Sequence, residues 1–169
     1  QPTADTTSAN ASGVLLALPK ATALIYGCIT NAQGQPLAGV RFGNAGNGTN
    51  RTDATTDENG NYVLGVVAGD WWAGVDAAYS GYSNCVFSSD FFTTINDGDA
   101  FQFNFTGLLA TNRITGTLTD NSSNTIGGVS LSGITEINGT IYENNDAMTG
   151  SDGTYSMNVA NGVWLVKID

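Results

Sequence analysis

The chain has 169 residues, 12% of them charged, and a formal net charge of −10. With two Lys, three Arg and no His, Ser-His-Asp and Cys-His catalysis and His-based metal sites are excluded, and the negative field opposes nucleic acid and anionic membranes. Apolar residues at 41% suffice for compact cores, while 22 Gly, 18 Asn and only short apolar runs point to an all-β fold rich in turns.

Taken in chain order, residues 1–22 form an N-terminal extended segment that is polar up to Ser12. The apolar run 14–18 is too short for a membrane-spanning helix or a signal-peptide core. Gln1 therefore reads as the start of a mature or excised chain. Strands are expected near 23–30, 38–44, 50–56, 61–67, 71–78, 84–89 and 100–109, separated by Gly/Asn/Asp turns. Alternation points Ile25, Gly27 and Ile29 to one face and Tyr26, Cys28 and Thr30 to the other. Trp71, Ala73 and Val75 share a core face, leaving Trp72, Gly74 and Asp76 outward. A second set of strands is expected near 113–119, 127–134, 138–149, 154–159 and 163–169.

The second set repeats the first. Residues 25–30, Ile-Tyr-Gly-Cys-Ile-Thr, recur at 114–119 as Ile-Thr-Gly-Thr-Leu-Thr, and Gly39-Val40 recurs as Gly128-Val129, an offset of 89. After a four-residue insertion the offset is 93: Asn59-Gly60-Asn61-Tyr62 answers to Asp152-Gly153-Thr154-Tyr155, and Trp71 to Trp164. On this match Trp164, Val166 and Ile168 are core positions. The repeat divides the chain into residues 23–109 and 110–169, two tandem β-sandwich domains of which the second lacks its last strands. Such a sandwich has an unpaired edge and a partly uncovered core.

The pattern Ile-x-Gly-x-Ile-x-Asn-x-x-Gly-x-Pro-Leu-x-Gly-Val, followed by Thr56-Asp57-Glu58-Asn59-Gly60-Asn61-Tyr62 and Gly69-Asp70-Trp71, resembles the carboxypeptidase regulatory-like domain. The likeness covers about residues 23–106 and, less completely, 112–169, where Thr125 and Ile126 replace the Pro and Leu. It implies an Ig-like or transthyretin-like seven-stranded sandwich, extracellular and often tandem, used as scaffold, spacer or adhesive surface, with no catalytic residues to transfer.

Several residues are candidates for more than packing. Cys28 and Cys85 are expected to form a disulfide, whose loop of 57 residues would stabilise the chain by about 4 kcal/mol. Asp57, Asn59 and Asn61 have the first half of a calcium-loop spacing without its bidentate Glu, and Asp97 with Asp99 makes a weaker pair; simple Asx turns account for both. Sequons mark Asn10, Asn47, Asn50, Asn104, Asn121 and Asn138 as possible glycosylation sites, with Asn47 and Asn50 favoured by their Gly-rich loop. Trp72, Tyr79 and Tyr82 could stack on sugars or pack on a neighbouring subunit. No pair of carboxylates is set among apolar residues as a glycosidase requires, so no enzyme, metal or cofactor is expected.

The expected function is structural: an extracellular subunit of a surface filament. The segment 13–18 resembles 107–110, so it reads as a last strand without its sandwich. Residues 5–18 of one chain would enter the open slot of another chain's second domain, burying Val14, Leu16 and Leu18, a head-to-tail strand exchange that does not close on itself. The partners are then copies of the same chain. Two other readings stay open: a fragment of a long tandem array, and a carbohydrate-binding module.

Overall fold

The protein is described here by a computed structural model, covering residues 19–76 and 80–169. It is all-β, with fourteen strands and no helix among the described residues. The first repeat supplies β1 (Ala23–Asn31), β2 (Arg41–Gly46), β3 (Arg51–Thr55), β4 (Asn61–Val66), β5 (Gly69–Val75), β6 (Cys85–Ser88), β7 (Phe91–Ile95), β8 (Ala100–Gln102) and β9 (Phe105–Leu109). The second supplies β10 (Asn112–Thr117), β11 (Ser130–Ile137), β12 (Thr140–Met148), β13 (Thr154–Val159) and β14 (Leu165–Ile168).

Period-two alternation sets the faces of the first repeat. Ile25 and Ile29 of β1 are fully buried while Leu24 and Tyr26 are exposed, and β4 buries Tyr62, Leu64 and Val66 in the same rhythm. One sheet runs β3-β2-β5-β7; the other places β4 on one side of β1, with β8 and β9 in succession on the other side and β6 beyond β9. Their inner faces share a core of fifteen buried residues, with Phe42 stacked on Tyr62 at 4.3 Å and Phe105 tilted against Phe42 at 5.2 Å.

Small devices recur at the repeat's own offsets. The Thr56 hydroxyl accepts the Val40 N–H at 2.9 Å, and the Thr149 hydroxyl accepts that of Val129 at 2.9 Å. The Trp71 indole donates to the Val67 carbonyl at 2.8 Å, as Trp164 does to Ala160 at 2.9 Å. Gly60 and Gly153 share a φ near +75° and press against the Ile29 and Leu118 carbonyls, so a side chain fits at neither. Asn31 and Asp120 each close a turn by accepting two backbone N–H groups.

The structure departs from the sequence expectations in four places. The expected strand 100–109 is two strands, because the chain sidesteps onto β1 at Phe103 and Asn104. Strand β7 was not expected; its burial alternates, with Phe91 and Ile95 inside, but Thr93 holds the inward position between them and only Ser89-Asp90 separate it from β6. Gly74 faces outward but is covered, since the Asp90 carboxylate occupies the space of the missing Cβ. The two repeats are also not simply in series: β12 pairs with β6 at Tyr142–Ser88 and Glu143–Phe87, so one sheet runs on through both repeats.

Candidate functional site

Four strands of the first repeat, β6 to β9, have no counterpart among the described residues of the second. Among the described residues, two edges that are paired in the first repeat are therefore open in the second. Strand β1 lies between β4 and β8/β9, whereas its counterpart β10 pairs, among the described residues, with β13 alone. Strand β5 lies between β2 and β7, whereas its counterpart β14 pairs with β11 alone. The counterpart of edge strand β3 is β12, and that edge is the one closed by β6.

Without facing strands among the described residues, the second core is less covered than the first. Ile25 and Ile29 are fully buried, while Ile114 and Leu118 at the same positions are half-buried. Trp71 is 1% exposed; Trp164 is half-buried. Among the described residues the second core holds four buried residues, Leu131, Ala147, Met157 and Val159, against fifteen in the first. The expected core positions Val166 and Ile168 are corrected likewise, Val166 being half-buried and Ile168 59% exposed, with Leu165 beside it at 66%. Fully burying one such side chain is worth about 1.5–3 kcal/mol, so covering this slot would stabilise the second repeat.

A finer match lies on the β10 edge, where Gly27 has Gly116 as its counterpart. A Cβ on Gly27 would overlap the Phe103 carbonyl, which also accepts the Tyr62 hydroxyl at 2.7 Å. Beside it the Phe103 N–H donates to the Tyr26 carbonyl at 2.9 Å, and the Cys28 N–H donates to Asn104 Oδ1 at 2.9 Å. Gly116, Tyr155, Thr115 and Thr117 repeat the receiving half of this arrangement. With no strand over Gly116, the Tyr155 hydroxyl leans in, 2.6 Å from where a Cβ would stand, and donates to no acceptor among the described residues. Nothing in the amino-acid pattern alone marked Gly27 and Gly116 as more than strand residues; their meaning needs the carbonyl above Gly27.

The other expected site residues are scattered. The Cys28–Cys85 disulfide is not made, and both thiols are free. Strand β9 separates them, Cys28 standing level with Asn104 and Cys85 with Leu109. Two strand spacings and five residues of rise put them more than ~15 Å apart, beyond the ~6 Å between Cα atoms of a disulfide. Tyr82 is half-buried against the first core and donates to the Ala38 carbonyl at 2.9 Å, so it is no part of a platform with Trp72. Trp72 instead stands opposite Phe92, which is 71% exposed. Val14, Leu16, Leu18, Asn10 and Tyr79 lie outside the described residues. Asn47 and Asn50 are half-buried, with Asn47 Oδ1 accepting the Asn50 N–H at 2.8 Å, whereas Asn104, Asn121 and Asn138 are exposed.

The carboxylates mostly hold turns. Asp57 Oδ1 accepts the N–H groups of Asn59 (2.9 Å) and Asn61 (2.8 Å), and Asp99 Oδ2 accepts that of Asn96 at 2.7 Å. Hydrogen bonds from Asn61, Asn124 and Thr154 hold Asp57, Asp120 and Asp152 below the ordinary carboxylate range. Their contribution is present above that range and is lost as pH falls through their lowered pKa values. Among the described residues no three His, Cys, Asp or Glu side chains converge as a metal site.

Asp90 is the exception: burial, and then the Glu143 carboxylate of β12, push its pKa up. An acid raised in the folded state opposes folding once ionised, so folding gains stability as pH falls through the raised value. Asp90→Asn is therefore expected to raise the melting temperature at pH 7, with the gain shrinking toward pH 4. Thermal melts across that range check it; a lower melting temperature at pH 7 would contradict it.

No protein-family model matches the chain, and no curated protein does. Among solved structures it is similar to the Bacillus anthracis TIE protein, with 16% identity and a TM-score of 0.46 over 88% of this chain and 28% of that one. It is similar to a Streptococcal ancillary pilin with 12% identity and a TM-score of 0.41, over 86% and 53% of the two chains. The shaft pilin SpaA from Lactobacillus rhamnosus GG gives 10% identity and a TM-score of 0.38, over 89% and 75%. The chain thus spans about a quarter and about half of the length of the first two. At these identities and scores the likeness is one of β architecture alone.

Proposed function

We propose that the chain is a structural subunit of an extracellular filament, joined head to tail by β-strand exchange, and that its repeats are carboxypeptidase regulatory-like sandwiches. Residues 5–18 of one copy enter the open slot of the next copy's second repeat. They supply main-chain hydrogen bonds to β10 and bring Val14, Leu16 and Leu18 out of water. Because donor and acceptor lie at different places on the chain, the contact propagates rather than closing into a dimer.

The observation that carries this reading is the contrast between Trp71 and Trp164. The same residue, with the same indole hydrogen bond, is buried in one repeat and half-open in the other. A continuation of the chain past Asp169 would cover that slot in cis. Intact-mass measurement of the native protein separates the two cases. A mass near 17.5 kDa, apart from attached groups, fits exchange between chains; a far heavier chain would put the missing strands in the same polypeptide and overturn the proposal.

A further inference from the structure

The proposed exchange, on which the following rests, leaves the register of the donor open. The receiving set on β10 fixes it. In the first repeat β1 takes up β8 and β9 in one parallel register: Tyr26 stands opposite Gln102 and Ile29 opposite Phe105, a separation of 76 in both. At the sidestep between them, Gly27 and Tyr62 hold a backbone carbonyl, and the next residue, Asn104, caps the Cys28 N–H with its side chain. This is a lock for a carbonyl followed by an asparagine. Most side chains in the place of Asn104 carry no acceptor that reaches the Cys28 N–H.

The same lock, Gly116 with Tyr155 and the Thr117 N–H, has nothing seated in it among the described residues. Its key is in the N-terminal segment. Residues 8–15 read Ser-Ala-Asn-Ala-Ser-Gly-Val-Leu, and residues 102–109 read Gln-Phe-Asn-Phe-Thr-Gly-Leu-Leu. At an offset of 94, Asn10 matches Asn104, Ser12 matches Thr106, Gly13 matches Gly107, and Asp5 matches Asp99. A Cβ at Gly107 would stand 2.9 Å from the Phe87 ring and 3.1 Å from Leu37, so a larger residue there would have to displace one of them.

We infer that the donor segment seats with Ala9 over Gly116 and Asn10 beside Thr117, each donor residue opposite the acceptor residue 107 positions further along its own chain. The Ala9 carbonyl accepts the Tyr155 hydroxyl, the Ala9 N–H donates to the Thr115 carbonyl, and Asn10 Oδ1 accepts the Thr117 N–H. Ala11 takes the place of Phe105. Its small size suits a floor where Met157 already leans over Gly133, 2.6 Å from where a Cβ would stand, and Trp164 lies 3.2 Å from the same point. Val14, Leu16 and Leu18 then bury at the junction between subunits, with Val14 in the place of half-buried Leu108.

Disulfide trapping in the full chain tests this register, with Cys28→Ser and Cys85→Ser as background. Parallel neighbours lie close enough for a disulfide, so Ser8→Cys with Thr115→Cys, and Ser12→Cys with Thr119→Cys, are expected to yield ladders of covalent multimers on non-reducing gels that collapse on reduction. Thr6→Cys with Thr115→Cys, which faces the same side but is shifted by two residues, is expected to yield background only. If the shifted pair cross-links and the register pairs do not, the register is wrong while strand exchange stands. If filaments form and no pair links one chain to another, both are wrong. Circular dichroism of each variant confirms that the strands remain, so that failure to fold is not read as failure to exchange.

Discussion

Gly27→Ala is expected to destabilise the first repeat strongly, while Gly116→Ala is expected to leave the separated subunit folded and abolish assembly. The two glycines hold the same position in their repeats. At Gly27 the added methyl would meet the Phe103 carbonyl, a backbone atom fixed by hydrogen bonds from the Tyr62 hydroxyl and flanked by the Asn104 cap. Backbone cannot swing aside as a side chain does, so a loss of about 3 kcal/mol is expected. At Gly116 the methyl would meet the end of the Tyr155 side chain, which can rotate away into the open slot. Alanine also loses less backbone entropy than glycine in a strand, so the subunit's stability should stay within ~1 kcal/mol of the parent. The assembled state differs, because the methyl then stands where the donor's carbonyl must lie. Thermal unfolding of the separated subunits, with light scattering of assembly, reads both halves. Normal assembly by Gly116→Ala would contradict the site.

Trp164→Ala is the second large effect, and it too should divide between subunit and filament. Trp71→Ala removes a fully buried indole and its bond to the Val67 carbonyl, for an expected loss of about 3–5 kcal/mol in any state of assembly. Trp164 is half-buried in the subunit, so its removal there should cost roughly half as much. Once a donor strand covers the slot, Trp164 is enclosed as Trp71 is, and the remainder of the loss appears in assembly. Each 1.4 kcal/mol raises the concentration required for assembly by about tenfold. The midpoint of assembly against concentration, compared between the two variants, measures the split. An equal effect of Trp164→Ala on subunit and filament would mean that nothing covers it.

Much of the fold could be read from the residues because the cues are local. Alternation gave the faces of β1 and β5, and Gly/Asn/Asp turns gave most strand limits. The repeat offsets matched Trp164 to Trp71 and Gly153 to Gly60, and in the structure each pair makes the same backbone contact, although Trp164 is only half-buried. What escaped depends on contacts between distant segments. The break between β8 and β9 follows from Phe103 crossing Gly27, and the unbroken alternation Phe101-Gln102-Phe103-Asn104-Phe105 carries no sign of it. The Cys28–Cys85 bridge fails because β9 lies between the two strands, an order that spacing along the chain does not encode. The pairing of β12 with β6 likewise joins segments more than fifty residues apart through two main-chain registers and no distinctive side chain. The open slot itself was legible in outline, as a repeat short of strands; its lock of Gly116, Tyr155 and Thr117 was not.

The central claim is that the second repeat is completed by residues 5–18 of another copy. Electron microscopy of the full chain beside the same chain lacking residues 1–18, each at matched concentration, tests it most directly. The account expects filaments from the full chain, none from the shortened one, and loss of filaments in the full chain when a synthetic peptide of residues 5–18 is added in excess. Filaments that form as readily without residues 1–18 would contradict it.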